Sequence, residues 1–459
     1  MTPFGDDGAS GSAGATAQLG PVAGVTPGRI AAAEICADMR GGELLDAAFD
    51  RRTAGLDARD RRWLRELVYG MLRHRGLIDA LLAERVRGGI ARIEADLIDL
   101  FRLGVYQLIY MGSVPAYAAI AQTVELAKVR HGIGASKLVN AVLRRIDRER
   151  EGIAPLLPAD TAEALAVEHS HPEWLVRRWL SRWGKDATEL MLKRNNDEAP
   201  VVLRPFGIVR EQLEAMLESA DVHVEEGGAP LVRDSIQVSG GITLGDLGAF
   251  RQGLFFIQDP ASTLVTHYAA IAADTIVADL CAAPGGKAIE LSRSARLVVA
   301  ADRSPGRLGR VVSNRARLEL QNMVIIAADA LYPALRPVAA VLVDAPCTGT
   351  GTFRRHPDAR WRLRISDLAV MAARQTSLLR SAATIVAPGG LLVYSTCSLE
   401  PEENEEQIET FLEANKNWRL EPPPAGAVPP ETLDGGYLRV LPHMHGTDGA
   451  FAARLRRVG

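Results

Sequence analysis

Three patterns of apolar residues follow one another along the chain. From Arg29 to Arg150 the spacing is helical, with Leu64, Leu67, Val68, Met71 and Leu72 on one stripe. Ile93, Leu97, Leu100, Phe101, Val105, Leu108 and Ile109 form a second, and Ile120, Val124, Leu126 and Ala127 a third. Gly88-Gly89, Pro115 and Gly132 to Gly134 punctuate them, so the pattern predicts an all-α bundle. From Glu151 to Gly253 the pattern is mixed. Trp174, Trp179 and Trp183 lie at helical spacing among Arg177, Arg178, Arg182 and Lys185, whereas Val201 to Arg204 and Ser235 to Val238 read as strands. A tryptophan stripe of this kind is more often core than a stacking platform for single-stranded RNA. From Phe256 onward short aliphatic runs alternate with helical or glycine-led segments. Thr275 to Leu280, Arg296 to Ala301, Met323 to Ala328, Val338 to Val343 and Leu391 to Tyr394 are the strand candidates, and repeated βα units predict a doubly wound α/β sheet. Pro422 to Pro430 reads as a loop, and Tyr437 to Leu441 with Ala450 to Leu455 as a final antiparallel pair. The expected organisation is a tail at 1–28, an all-α domain at 29–150, a small α+β linker domain at 151–253 and an α/β domain at 254–459.

A length of 459 residues requires several domains, and 47% hydrophobic with 24% charged residues is a globular balance. Met1 to Pro27 is rich in Gly, Ala and Ser and carries Asp6 and Asp7 where a signal peptide would be basic, which predicts a disordered tail. No apolar run approaches the length of a membrane span. Cys36, Cys281, Cys347 and Cys397 form no CxxC pair, which argues against a disulfide framework or zinc finger and suits a reducing cytoplasm. His443 and His445 have no partner at ligand spacing beyond Asp448, so they read as loop rather than metal site. A net charge of −3 excludes a globally basic nucleic-acid binder, and any such contact must come from local patches. Arg51, Arg52, Arg61, Arg62, Arg65, Arg73 and Arg75 are candidates: they could meet phosphate, or form a solvated face balanced by Asp57, Asp60 and Glu66.

Candidate chemistry gathers at strand ends. Asp344-Ala345-Pro346-Cys347 directly follows the run Val338 to Val343, and Ser395-Thr396-Cys397-Ser398 directly follows Leu391 to Tyr394. Two thiols are therefore expected at the carboxyl ends of neighbouring parallel strands, where open α/β sheets bind ligands. A free cysteine is usually a small buried hydrophobe; yet Pro346, Gly349 and Gly351 near Cys347, and the hydroxyls around Cys397, are not what a core thiol needs. Cys281 to Lys287 joins the first strand of the domain to its first helix. Gly285-Gly286 lets a ligand approach the backbone, and a helix start favours an anionic or carboxylate-bearing group. The phosphate-loop pattern GxxxxGK[ST] fails because Ala288 follows Lys287, and GxGxxG is absent. Asp302 ends the second strand, where an acid meets ribose hydroxyls, and Asp329 ends the third, placed for a purine amine. Acids in this order fit a nucleoside cofactor without a diphosphate, such as S-adenosylmethionine. Cys281 is expected beneath the loop, Cys36 in a helix core, and Glu402 to Glu409 as the acidic start of a helix after Pro401.

The order Arg51-Arg52, Arg59-Asp60-Arg61, Phe101 to Leu108 and Val139 to Arg144 resembles the antitermination factor NusB and the NusB-like domains fused to some methyltransferases. Cys281 to Lys287, Asp344 to Gly351, Arg354 to Asp358, and Tyr394 to Ser398 followed by Pro401 to Glu405 resemble the RsmB (Fmu/Sun) family of RNA cytosine-5 methyltransferases, from about Arg29 to the end. The resemblance implies a Rossmann-like, S-adenosylmethionine-dependent methyltransferase domain behind an RNA-docking NusB-like domain. It assigns the cofactor to Cys281, Ala282, Ala283, Pro284, Gly285, Gly286, Lys287, Asp302, Asp329 and Asp344, with Arg307 nearby. It makes Cys397 the nucleophile and a cytosine of small-subunit ribosomal RNA the target. The expected enzyme is cytoplasmic and monomeric, and uses neither metal nor membrane. Two departures stand out: Thr348 where Ser is commoner, which keeps a hydroxyl, and Asp448-Gly449-Ala450-Phe451 where two aromatics usually follow Asp-Gly.

The chemistry supports the resemblance independently. Carbon 5 of cytosine is too poor a nucleophile to take a methyl from a sulfonium, but a thiolate added at carbon 6 makes the ring enamine-like. After transfer the carbon-5 proton must leave and the thiol be eliminated, for which Cys347 is suitably placed; Asp344 could hold the pyrimidine edge. A ring reached from both faces must be unstacked, so a looped or flipped base is implied. DNA cytosine-5 methyltransferases use the cysteine of a Pro-Cys pair, which here would be Cys347; the Ser395-Thr396-Cys397-Ser398 motif resembles that of the RNA enzymes, so Cys397 is the expected nucleophile. Methylation of transfer RNA, and an inactive RNA-binding or antitermination adaptor, are the competing functions.

Overall fold

The structure, a computed structural model, describes residues 22–239 and 244–458. Residues 1–21 of the expected tail lie outside them. The chain forms two compact units, one ending at Asp197 and including His356–Arg362, the other made of Glu198–Arg355 and the chain from Leu363 onward.

The first unit is helical: α1 (Pro27–Arg40), α2 (Leu45–Arg52), α3 (Ala58–Arg73), α4 (Arg75–Arg85), α5 (Ala95–Tyr110), α6 (Ala116–Glu149), α7 (Thr161–Glu168) and α8 (Glu173–Asn196). Its apolar stripes face inward as the period requires, with Leu64, Leu67, Val68, Leu100, Phe101 and Val105 buried in one core. Asp57 caps α3 by accepting from the Asp60 amide. Gly132 (φ +83°) breaks α6 as its glycines suggested, and Gly184 (φ +75°) breaks α8. Trp179 is core and Cys36 is buried in α1, where desolvation pushes its thiol up. Of the candidate phosphate-binding arginines, Arg51 pairs with Glu43 and Asp38, Arg52 with Asp38 and Glu34, and Arg61 with Asp50. Arg65 lies over the Tyr69 ring and Arg75 over that of Trp361. These charges are engaged within the unit, by partners other than the Asp57, Asp60 and Glu66 that local sequence offered.

His356–Arg362 packs into this unit although both its flanks belong to the other. Trp361 Nε1 donates to the Leu72 carbonyl at 2.8 Å, and His356 Nδ1 lies 3.3 Å from Asp46 Oδ2. Arg360, fully buried, donates to the carbonyls of Ser170 and Asn195 and to Asn196 Oδ1. The helical unit therefore contains a segment from far along the sequence.

The second unit holds two sheets. β1 (Val201–Pro205), β2 (His223–Val224), β3 (Ile236–Ser239) and β4 (Phe255–Ile257) form a small antiparallel sheet in the order β2-β3-β1-β4. The large sheet contains β5 (Ile276–Asp279), β6 (Leu297–Asp302), β7 (Met323–Ala327), β8 (Val338–Asp344), β9 (Val386–Thr396), β10 (Trp418–Leu420), β11 (Leu433–Asp434), β12 (Tyr437–Val440) and β13 (Ala450–Arg457). Its order is β11-β12-β13-β9-β8-β5-β6-β7, with β10 beside β13. Strands β9, β8, β5, β6 and β7 are parallel, and β13 adds to β9 antiparallel, so the expected terminal pair extends the main sheet. Alternate residues feed opposite layers: Val277 and Leu342 one core, Ala278, Val341 and Val343 the other. After β7 the chain returns to the far side of β5, which makes the β5–β8 boundary the topological switch point and its carboxyl end the crevice where such sheets bind ligands. No helix among the described residues is long and apolar enough to cross a membrane.

Candidate active site

Acids stand at the carboxyl ends of the four adjacent strands β8, β5, β6 and β7: Asp344, Asp279 and Asp302 close theirs, and Asp329 lies just beyond β7. The glycine loop is pinned against this row. Ala282 N donates to the Ala301 carbonyl at 2.9 Å and Ala283 N to Asp302 Oδ2 at 3.2 Å, while Arg307 Nη2 reaches the Ala283 carbonyl at 2.6 Å. Gly285 turns the chain at φ +112°, a conformation few other residues tolerate, and the helix Gly286–Leu291 follows. That helix has only six residues, so side-chain charge rather than its dipole sets the field here.

The field is negative. Asp279, Asp302 and Asp344 are all buried, and among them Lys287 supplies the ammonium, 2.8 Å from Asp344 Oδ2. Asp344 Oδ1 also accepts from Ser395 Oγ at 2.9 Å. Asp279 Oδ1 accepts from the Cys281 amide, but Oδ2 is buried without a hydrogen-bond partner. Burial, then the charge of Asp344, pushes the Asp279 carboxyl up to about 8. An unpartnered buried carboxyl oxygen next to further carboxylates suits a ligand that brings positive charge and donor groups. A sulfonium with an α-ammonium and ribose hydroxyls, as in S-adenosylmethionine, meets that description; a phosphate ligand does not. Among the described residues, no group of three His, Cys, Asp or Glu side chains could hold a metal.

One strand further along, the two cysteines meet. Cys347 lies three residues beyond β8 and Cys397 immediately beyond β9, and their sulfurs are 3.3 Å apart. That spacing is hydrogen-bond distance, with either sulfur able to donate, and both residues are free cysteines. A shared proton alone leaves open which sulfur is charged. The neighbours break the tie. Cys347 is raised by its hydrogen bond to Cys397, by burial and by the negative charge of Glu403; Cys397 is lowered by the hydrogen bond from Cys347 and, to a lesser extent, by Lys287, against burial and the charge of Asp344, which raise it. Cys397 is also the more exposed. It is the sulfur that ionises first.

The supporting contacts were not foreseen. Glu403, expected on the polar face of a helix start, is fully buried and accepts from Thr348 N at 2.9 Å, Gln375 Nε2 at 2.9 Å, Thr348 Oγ1 and Ser398 Oγ. Asn404 Oδ1 accepts from Thr396 Oγ1 at 2.6 Å, and Asn404 Nδ2 donates to the Ser398 carbonyl at 2.9 Å. Arg355 lies between Asp259 and Asp448 at 2.6 Å from each. The Gly351 amide donates to the Cys397 carbonyl at 2.9 Å, and the Gly449 amide to the Gly351 carbonyl at 2.8 Å. The unusual Ala450 is buried opposite Val440 in the β12–β13 ladder, one residue beyond that contact. Cys281 is half-buried under the loop, and burial raises its thiol.

Comparisons with known proteins agree with this geometry. Residues 268–456 match the family model "16S rRNA methyltransferase RsmB/F", 26–148 the NusB family, and 171–243 the ferredoxin-like domain of RsmF/B-like methyltransferases. The chain is 34% identical over 426 residues to a probable ribosomal RNA small subunit methyltransferase B of Synechocystis, covering 90% of this chain and 95% of that protein. It is 35% identical to ribosomal RNA small subunit methyltransferase B of Vibrio cholerae, covering 88% and 94%. Among solved structures, that of PH0851 superposes with a TM-score of 0.78 at 26% identity, covering 96% of this chain and all of the other.

Proposed function

This chain belongs to the 16S rRNA methyltransferase RsmB/F family, and from that premise we propose that it methylates carbon 5 of a cytosine in small-subunit ribosomal RNA through a covalent adduct at carbon 6. The observation that carries the reading is the pair of sulfurs 3.3 Å apart beside Lys287 and Asp344, at the carboxyl ends of adjacent parallel strands. S-adenosylmethionine, when bound, supplies an electrophilic methyl group. Residues 281–287, Asp302, Arg307, Asp329 and Asp344 would hold it.

Cys397, as thiolate, attacks carbon 6 of an unstacked cytosine, so that carbon 5 becomes nucleophilic. Asp344 and its Ser395 and Lys287 partners face the pyrimidine edge and stabilise the adduct. In the resting pair Cys347 stays protonated because a charged sulfur and Glu403 lie beside it. Once Cys397 has become a neutral thioether, both its charge and its claim on the Cys347 proton disappear. Cys347 then gives up its own proton to solvent and, as thiolate, takes the proton from carbon 5, after which Cys397 leaves as thiolate. RNA docking by the helical unit is part of the proposal; with Arg51, Arg52 and Arg61 paired internally, it falls to other residues of that unit, and deletion of residues 1–150 should weaken RNA affinity.

The test is trapping with ribosomal RNA carrying 5-fluorocytidine, whose carbon-5 fluorine cannot be removed as a proton. A covalent complex should form with the native chain, survive Cys347→Ala and vanish in Cys397→Ala. The opposite pattern would make Cys347 the nucleophile. Bisulfite mapping of ribosomal and transfer RNA from cells with and without the gene identifies the modified base.

A further inference from the structure

We infer that Glu403 is a positioning residue for methyl transfer, its carboxylate tying the two cysteine-bearing loops together and so setting the spacing between their sulfurs. The inference rests on the roles of Cys347 and Cys397 proposed above.

Glu403 is 0% exposed, and among the described residues each polar contact of its carboxylate is with a donor from a residue beside a cysteine or from one that reaches there. Oε1 accepts from Thr348 N and from Gln375 Nε2; Oε2 accepts from the hydroxyls of Thr348 and Ser398. Thr348 follows Cys347 in the chain and Ser398 follows Cys397. Gln375 Nε2 also donates to the carbonyl of Pro346, just before Cys347, at 2.9 Å. Asn404 holds Thr396 and Ser398, on either side of Cys397. The adjacent residues 403 and 404 thus bracket both sulfurs, and the Tyr394 hydroxyl, donating to the Glu403 carbonyl at 2.7 Å, fixes them to β9.

The choice of a carboxylate follows from this donor set. An ionised carboxylate is acceptor-only with lone pairs on both oxygens, so it can serve all four donors at once. A glutamine must turn an NH2 toward one pair of them. Burying a charge is expensive unless hydrogen bonds offset it, so packing alone would favour an apolar side chain here. The same charge opposes ionisation of Cys347, and the other groups acting on that sulfur are Cys397 and Tyr394, while Asp344 and Lys287 act on Cys397. Spacing and charge then work together: Cys347 is held close enough to donate to Cys397 and kept as the donor.

The experiment uses the full chain and the variants Glu403→Gln, Thr348→Val, Thr348→Ser and Ser398→Ala. One readout is kcat and KM for S-adenosylmethionine in transfer of labelled methyl to ribosomal RNA. The second is capture of phenylarsine oxide, a trivalent arsenical that bridges two nearby thiols with loss of water, followed by intact mass with Cys347→Ser as the blank. Glu403→Gln should lower kcat by ~100-fold, the effect of ~1 Å misplacement of reacting groups, with KM little changed. Arsenical capture should slow in parallel, and Thr348→Ser should retain more of both than Thr348→Val. A folded Glu403→Gln chain with native kcat and native capture overturns the inference, as does a fall in kcat matched by equal losses of cofactor binding and thermal stability. Should Glu403→Gln fail to fold, native rates in both Thr348→Val and Ser398→Ala overturn it. If the native chain transfers no methyl to ribosomal RNA, the proposed function fails, while arsenical capture still decides the role of Glu403.

Discussion

Gly351→Ala is a severe test of how tightly Cys397 is held, because the added methyl has nowhere to go except into backbone. A Cβ at Gly351 would lie 2.7 Å from the Cys397 carbonyl oxygen and 2.8 Å from Gly449 Cα. Non-bonded carbons sit best at ~3.5–4.0 Å, so relief requires a displacement of ~0.7–1 Å among the three segments. None of them is loose: Gly351 N is bonded to the Cys397 carbonyl and Gly449 N to the Gly351 carbonyl. Overpacking of this kind costs ~1–3 kcal/mol. The larger effect falls on chemistry, because the carbonyl that must retreat belongs to Cys397, the proposed nucleophile. A ~1 Å misplacement of a reacting group lowers rate by ~100-fold, so kcat for methyl transfer should fall by about two orders of magnitude, with affinity for S-adenosylmethionine largely retained. The assay is single-turnover transfer of labelled methyl, with thermal unfolding in parallel. Loss of stability with a native rate would mean that Gly449 yields instead of Cys397, and the argument would be wrong.

Three further outcomes follow. Arg355→Met leaves the carboxylates of Asp259 and Asp448 facing each other without the guanidinium that joins them; breaking such a buried pair costs ~3–5 kcal/mol, and a urea midpoint within error of native would refute the pairing. Burial would raise the Glu290 carboxyl, but hydrogen bonds from His267 and Arg204 outweigh it and bring it to about 2. A depressed carboxyl stabilises the fold fully above the ordinary value of ~4.3 and loses that contribution as pH falls toward 2; Glu290→Gln should therefore show less decline in stability between pH 5 and pH 3 than the native chain, and parallel declines would contradict this. Lys287→Met removes the ammonium near Cys397, so the pH midpoint for iodoacetamide modification of Cys397 should move upward, and a downward or absent shift would show that Lys287 does not act on that sulfur.

The sequence made the two thiols legible because both lie within three residues of strands whose composition is unambiguous, and strand ends at a switch point are fixed by topology. The acids Asp302, Asp329 and Asp344 were legible for the same reason. Glu403 was not. It stands in an acidic run that local rules assign to a solvated helix start, and its donors Thr348 and Gln375 lie 55 and 28 residues away in the chain. Asp279 was not legible either, since an unpartnered buried oxygen has no signature in sequence. Arg355 finds its acids 96 and 93 residues away. Local pattern identifies groups placed by their own strand, and misses those placed by another.

The same distinction governs the division of labour between the cysteines. Cys347 and Cys397 are the same residue at neighbouring strand ends sharing one proton, so nothing in either side chain makes one of them the nucleophile. Their difference follows first from the hydrogen bond in which Cys347 donates to Cys397; Lys287, from the loop after β5, adds to it at Cys397 against the opposing charge of Asp344, and Glu403, from beyond β9, adds to it at Cys347. The identity of the proposed nucleophile thus depends on how the pair is held and on what surrounds it, and not on the cysteine side chain alone.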